Sequence, residues 1–218
     1  MEKYIQSVEQ KVKELFDNEA TGHDWFHIDR VRKIALKIHE KEGGNKEIIE
    51  LAALLHDISD HKFNGGDFEK GALISDQILS DLGVDDRTKK AVALIVKSVS
   101  FKGSGVKDVM NSLEGKIVQD ADRIDAIGAI GIARTFAYGG AIQQAIYDPS
   151  ISPKQKQSTE SYVNDRTHTI NHFYEKLLLL KDRMHTPTGK AIAKKRTRYM
   201  EDFLTQFYTE WEVDHLKI

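Results

Sequence analysis

Leu51-Ala52-Ala53-Leu54-Leu55-His56-Asp57 is the stretch on which the reading of this chain turns. A run of apolar residues is followed at once by an imidazole and a carboxylate. Upstream, Asn45 can cap a helix whose face runs through Ile48, Ile49, Ala52 and Leu55. The His-Asp pair therefore ends a buried helix, where two titratable groups are costly unless paired or bound to something. Adjacent helical residues point about 100° apart, so both can reach one ion beside the helix terminus. The plainer alternative is a capping Asp and a partly exposed His.

Working outward, helical periodicity dominates. Ile5, Val8, Val12, Leu15 and Phe16 recur at spacings of 3, 4, 3 and 1, one helix face. Thr21-Gly22-His23-Asp24 breaks the pattern and offers a cap. Val31, Ile34, Ala35 and Ile38 define the next helix, stopped by Gly43-Gly44. Further helices are predicted near 67–82, 86–99, 113–137, 160–183 and 188–212. Tyr138 to Thr159, with Gly139-Gly140 and two of the three prolines, is the candidate for a long loop or lid. β-rich stretches with hairpin turns are missing, so the chain is predicted to be all-α. We expect one compact multi-helix domain over residues 1–218, with a core of about 20–137 and C-terminal helices of about 160–212 packed on it.

Composition narrows the function. The 218 residues hold 32 basic and 34 acidic side chains, a net charge of −2, which gives no support for bulk nucleic-acid binding. The absence of cysteine excludes disulfides, thiolate nucleophiles, Cys-type zinc sites and Fe–S clusters. The longest uncharged run, Thr135 to Tyr147, spans 13 residues, short of the ~18–20 apolar residues of a membrane span. No apolar signal segment is seen in the first 20 residues. A soluble cytoplasmic protein without a membrane partner is the expectation.

Two more stretches carry chemistry. In His23-Asp24-Trp25-Phe26-His27-Ile28-Asp29-Arg30-Val31, helix spacing puts His27 on the core stripe with Val31, Ile34 and Ile38, and Arg30 one turn away. In Val118-Gln119-Asp120-Ala121-Asp122-Arg123-Ile124-Asp125, three carboxylates lie in a helix of otherwise small and apolar residues. Asp122 and Asp125 share one face with Val118 and Ala129. A metal ion or a basic network with Arg123 and Arg134 would relieve the burial of such acids. Two histidines and two aspartates drawn from three helices form an N/O set without sulfur. Such a set suits a divalent ion such as Mn²⁺, Mg²⁺, Co²⁺, Ni²⁺ or Fe²⁺.

His27, then His56-Asp57, then Asp122 in that order resembles the HD-domain phosphohydrolase superfamily. The surrounding words, with Asn171-His172-Phe173-Tyr174-Glu175-Lys176-Leu177, resemble its bacterial branch of small HD hydrolases, some of which are nucleotide pyrophosphohydrolases. The resemblance runs from about residue 20 to about residue 205. It implies an HD-type helical bundle with one divalent metal ion on His27, His56, Asp57 and Asp122. Asp120 and Asp125 compete for the last position. Asp122 is chosen because the family's ligand precedes a basic or polar residue, an apolar residue and often another acid. The resemblance also implies an acidic helper three residues after the metal-binding Asp, here Asp60, as general base. No clear set of ligands for a second metal is found, although His23 and His61 keep that question open.

A nucleotide substrate needs several cations, since one metal offsets only part of its charge. Arg30, His61, Lys62, Lys102, Arg123 and His172 are the candidates. His168, His172 and Lys176 fall on one helix face. Residues 183–198, with six Lys or Arg and no acid, read mainly as a solvated face. The implied reaction is hydrolysis of a nucleoside triphosphate with release of pyrophosphate. A nucleoside monophosphate phosphatase and a signalling-nucleotide hydrolase are alternatives, and a non-catalytic nucleotide or metal sensor is the competitor of another class. A homodimer is left open.

Overall fold

In the computed structural model, residues 2–16, 24–58, 69–154, 158, 160 and 167–212 are described. The chain is all-α, and no strand occurs among the described residues. The elements are α1 (Glu2–Leu15), α2 (Trp25–Glu42), α3 (Lys46–Leu55), α4 (Lys70–Asp81), α5 (Asp86–Val99), α6 (Leu113–Asp125), α7 (Gly128–Ala141) and α8 (Thr169–Glu175). A 3₁₀-helix (Leu177–Arg183) and α9 (Pro187–Glu212) follow. No helix is long and apolar enough to cross a membrane among the described residues.

Local chemistry sets the starts of these helices. Asn45 accepts from the amides of Glu47 and Ile48, Asp85 from Arg87 and Thr88, and Ser112 from Gly115, each satisfying amides that the first turn leaves without partners. Pro187 opens α9, where its fixed φ and missing N–H cost nothing. α3 is the central element. Residues Ile49 to Leu55 are all buried in it, and it packs against α1, α2, α5 and α6. α2 packs on α3 and α6, and α9 closes the far side against α7, α6 and α2.

Three expectations need correction. The segment 113–137 is not one helix: α6 ends at Asp125, and Gly128 at φ 78 starts α7 in a new direction. A side chain at that φ would be strained, and a Cβ there would press on Arg196 at 3.1 Å. The segment 160–183 is not one helix either. After Lys176 the chain tightens into the 3₁₀-helix, where Leu177 and Leu180 are buried and Leu179 is 39% exposed. That period of three matches the ~3.0 residues per turn of a 3₁₀-helix.

Finally, the loop predicted from Tyr138 begins as helix through Ala141. The stretch from Ala145 to Tyr147 is strapped down rather than free as a lid. Ala145 and Ile146 carbonyls accept the amides of Thr169 and Ile170. The Tyr147 ring lies edge-on to His168, Phe207, Tyr208 and Trp211.

Candidate metal centre

Asp24 caps α2 by accepting the His27 amide at 2.8 Å. This places His27 in the first turn, fully buried, on the stripe with Val31, Ala35 and Ile38. His56 is the C-cap of α3, 4% exposed, and its Nδ1 donates to the Ala53 carbonyl at 2.8 Å. Asp57 follows in the turn. Asp122 and Asp125 sit in the last turn of α6, which packs along both other helices.

These elements bring four predicted residues together. The Nε2 atoms of His27 and His56 are 3.2 Å apart. Asp57 Oδ2 lies 3.3 Å from the first and 3.7 Å from the second, and Asp122 Oδ1 lies 3.7 Å from each. Among the described residues, His27, His56 and Asp57 offer donor atoms all within 4.8 Å of one another.

The proton inventory indicates what this space wants. A carbonyl can only accept, so His56 Nδ1 carries a hydrogen. His27 Nδ1 meets Asp125 Oδ2 at 2.8 Å. Burial would raise the Asp125 carboxyl, but His27, Arg30 and Arg134 hold it well below the usual range, so it also accepts. Both neutral imidazoles therefore turn lone pairs toward each other and toward two carboxylates. Four acceptors that face one another repel unless a cation stands between them. Cis ligands of an ion bonded at about 2.1 Å are about 3 Å apart, close to the spacings seen. Burial and Arg134 push His27 down, but Asp125 and Asp57 outweigh them and its pKa is raised.

Behind the donors stands a second layer. Asp125 is buried and accepts from His27 Nδ1, from Arg30 Nε at 2.7 Å and Nη2 at 3.1 Å, and from Arg134 Nη1 at 2.9 Å. A carboxylate on the far nitrogen of a ligating histidine fixes its tautomer and raises its basicity. The histidines are sealed, whereas Asp57 is 11% and Asp122 27% exposed, so the centre opens on the carboxylate side.

Other expectations fare differently. Arg123, adjacent to Asp122, points away: it is buried, donating to Asp108 and to the Arg183 carbonyl, both at 2.6 Å. It is a tie between α6 and the 3₁₀-helix rather than a group that faces substrate. Asp120 leaves the contest for the metal, since its carboxylate accepts from the amides of His185 and Thr186 and from the Thr186 hydroxyl. His168 is the N-cap of α8, donating to Ile151 O and accepting from Asn171 N, so it does not line a pocket.

Lys102 and His172 are half-buried, on the loop after α5 and on α8. Of the basic run 183–198, Arg183 donates to Gly103 O and Arg196 to Ile124 O. Asp60, His61, Lys62 and His23 lie outside the described residues. Sequence reasoning missed Asp125 as the partner of His27 and Arg30, whereas Arg134, offered as part of a basic network for these acids, does donate to Asp125. The spacings His27–Arg30 and Asp122–Asp125, each one helical turn, carried that signal.

A buried His/Asp cluster at the meeting of three helices, ready for a divalent ion, defines a metal-dependent phosphohydrolase of the HD kind. The HD domain family profile matches residues 25–127. Bacillus subtilis YpgQ is 36% identical over 94% of this chain and 92% of its own. A Lactobacillus plantarum crystal structure superposes with a TM-score of 0.88 at 36% identity, covering 98% of this chain and 99% of the other. A Bacillus thuringiensis HD-superfamily hydrolase does so at 0.75 and 44%, with the same coverage. YpgQ crystallised in complex with ADP gives 0.72 at 32% identity, covering 94% and 97%. This chain belongs to the HD-domain superfamily of hydrolases.

Proposed function

We propose that this protein hydrolyses nucleotides, cleaving a nucleoside triphosphate to a nucleoside monophosphate and pyrophosphate. The observation that carries the reading is the pairing of a donor set made for one divalent ion with two guanidinium groups held on the carboxylate behind His27. Arg30, 31% exposed, lies one carboxylate away from His27. That combination suits an anion with more charge than a single ion offsets. YpgQ, alike in fold and over nearly its whole length, was crystallised with ADP, a nucleoside polyphosphate.

His27, His56, Asp57 and Asp122 would hold the ion, which supplies Lewis-acid charge at a phosphoryl oxygen and acidity to water. The chain's own part is positioning. Asp125 and the Ala53 carbonyl keep both Nδ1 hydrogens occupied, so that both Nε2 lone pairs stay turned inward. Asp60 takes a proton from the attacking water as general base. The water oxygen bonds to the α-phosphorus, the bond to the bridging oxygen breaks, and pyrophosphate leaves with the electron pair. Arg30 offsets charge on the leaving group.

The test strips the protein with a chelator and reloads it with Mn²⁺, Mg²⁺, Co²⁺, Ni²⁺ or Fe²⁺. Each form then meets a panel of nucleoside mono-, di- and triphosphates, with phosphate and pyrophosphate assayed separately. Metal-dependent pyrophosphate from triphosphates is expected. Phosphate from monophosphates alone would replace the reading by a phosphatase. Binding without turnover under every metal would replace it by a sensor.

A further inference from the structure

Arginines from three elements meet at the C-terminal end of α6. Arg30 of α2 grips Asp125 through Nε and Nη2, and Arg134 of α7 donates to the same carboxylate through Nη1. Arg196 of α9 passes over Gly128 and donates to Ile124 O at 2.6 Å. Two guanidiniums sharing one carboxylate make a triad with net positive charge. Asp24 and Asp29 also act on Arg30, yet Asp24 accepts the His27 amide and Asp29 pairs with Lys33 at 2.6 Å. Exposure is graded: Asp125 is sealed at 1%, while Arg134 is 16% and Arg30 31% exposed. The carboxylate is thus the buried anchor, and the positive charge looks outward.

We infer that Arg30 and Arg134 form an anion subsite for the phosphate groups beyond the one at the cation centre. The identity of those phosphates rests on the nucleotide reading above. One carboxylate and one imidazole ring separate the arginines from the space between the four donors. A guanidinium fork matches phosphate oxygens in a plane, and a fork already held by Asp125 loses little freedom when it binds. The same carboxylate orients His27, so ligand and subsite are held in register by a single group.

The full-length protein, saturated with Mn²⁺, is titrated calorimetrically with AMP and with the non-hydrolysable α,β-methylene analogue of ATP. The wild type should bind the analogue at least about tenfold more tightly than AMP, the scale of one charge-assisted contact. Arg134→Gln should shrink that preference to about threefold or less, with AMP affinity and Mn²⁺ content unchanged. Arg30→Gln should move the same way. If Arg134→Gln does not fold, Arg134→Lys decides, since it keeps the charge and loses the fork: a severalfold loss of preference is expected. An unchanged preference in the variants, or none in the wild type, overturns the inference. So does a joint loss of AMP, analogue and Mn²⁺ binding, which would make Arg134 only a prop for Asp125. Triphosphate turnover with an unaltered Arg134→Gln preference overturns this subsite alone. A lost preference without any turnover overturns the nucleotide hydrolysis alone.

Discussion

Two acids two residues apart on α6 sit in opposite surroundings. Asp120 is encircled by donors: two backbone amides and a hydroxyl at the start of α9. A Cβ on Gly189 would lie 2.4 Å from its Oδ2, so this pocket admits nothing more. Two residues on, Asp122 is set beside acceptors, the Nε2 lone pairs of His27 and His56. The first site is closed by the protein itself, whereas the second is closed only by something added. A buried charge says little about function until its neighbours are sorted into those that give hydrogens and those that take them.

The contrast can be broken by substitution. Asp57→Ala should do most, removing bound metal and at least about 10²–10³-fold of turnover, with helicity kept. Metal analysis beside circular dichroism checks it, and normal turnover in reloaded variant protein would end the assignment. Asp60→Ala should lower kcat by about 10²-fold or more while metal content holds. Loss of metal instead would make Asp60 a ligand.

Asp125→Asn should weaken Mn²⁺ binding by roughly 10–100-fold, the usual cost of losing a carboxylate behind a ligating histidine. Titration with a fluorescent chelator as competitor reads this directly. Asp120→Ala should hardly change kcat but lower the unfolding free energy by about 3 kcal/mol, since it strips charge-assisted bonds and orphans buried amides. Urea unfolding measures this, and a large loss of kcat at intact stability would erase the distinction between the two acids.

Much of this was legible in the chain, for a physical reason. Helices with one apolar stripe announce themselves, as α1, α2 and α5 do, and His56-Asp57 stands out because it ends an apolar run. Breaks were less legible. Nothing local in Ala126-Ile127-Gly128 shows that Arg196, far along the chain, needs the room above Gly128. The leucines from 177 to 180 fit an α-helix until packing selects the tighter period. Arg123 misled through adjacency, since neighbours on a helix point about 100° apart and only one of two faces the centre. Asp125 could not be told from Asp122 by spacing, because what separates them is Arg30, 95 residues away.

The last helix has a consequence for the boundaries of the unit. The stretch 25–127 carries the family profile, yet Asp120 finds its donors at His185 and Thr186, and the Ile124 carbonyl finds Arg196. Glu42 likewise accepts the Thr188 amide, and Ala193, Met200 and Leu204 are buried. A fragment cut after 127 would face water with bare apolar ground and stranded polar atoms. The segment that defines the family borrows its keystone from outside itself, so shortening this protein to its signature would leave an arch without a crown.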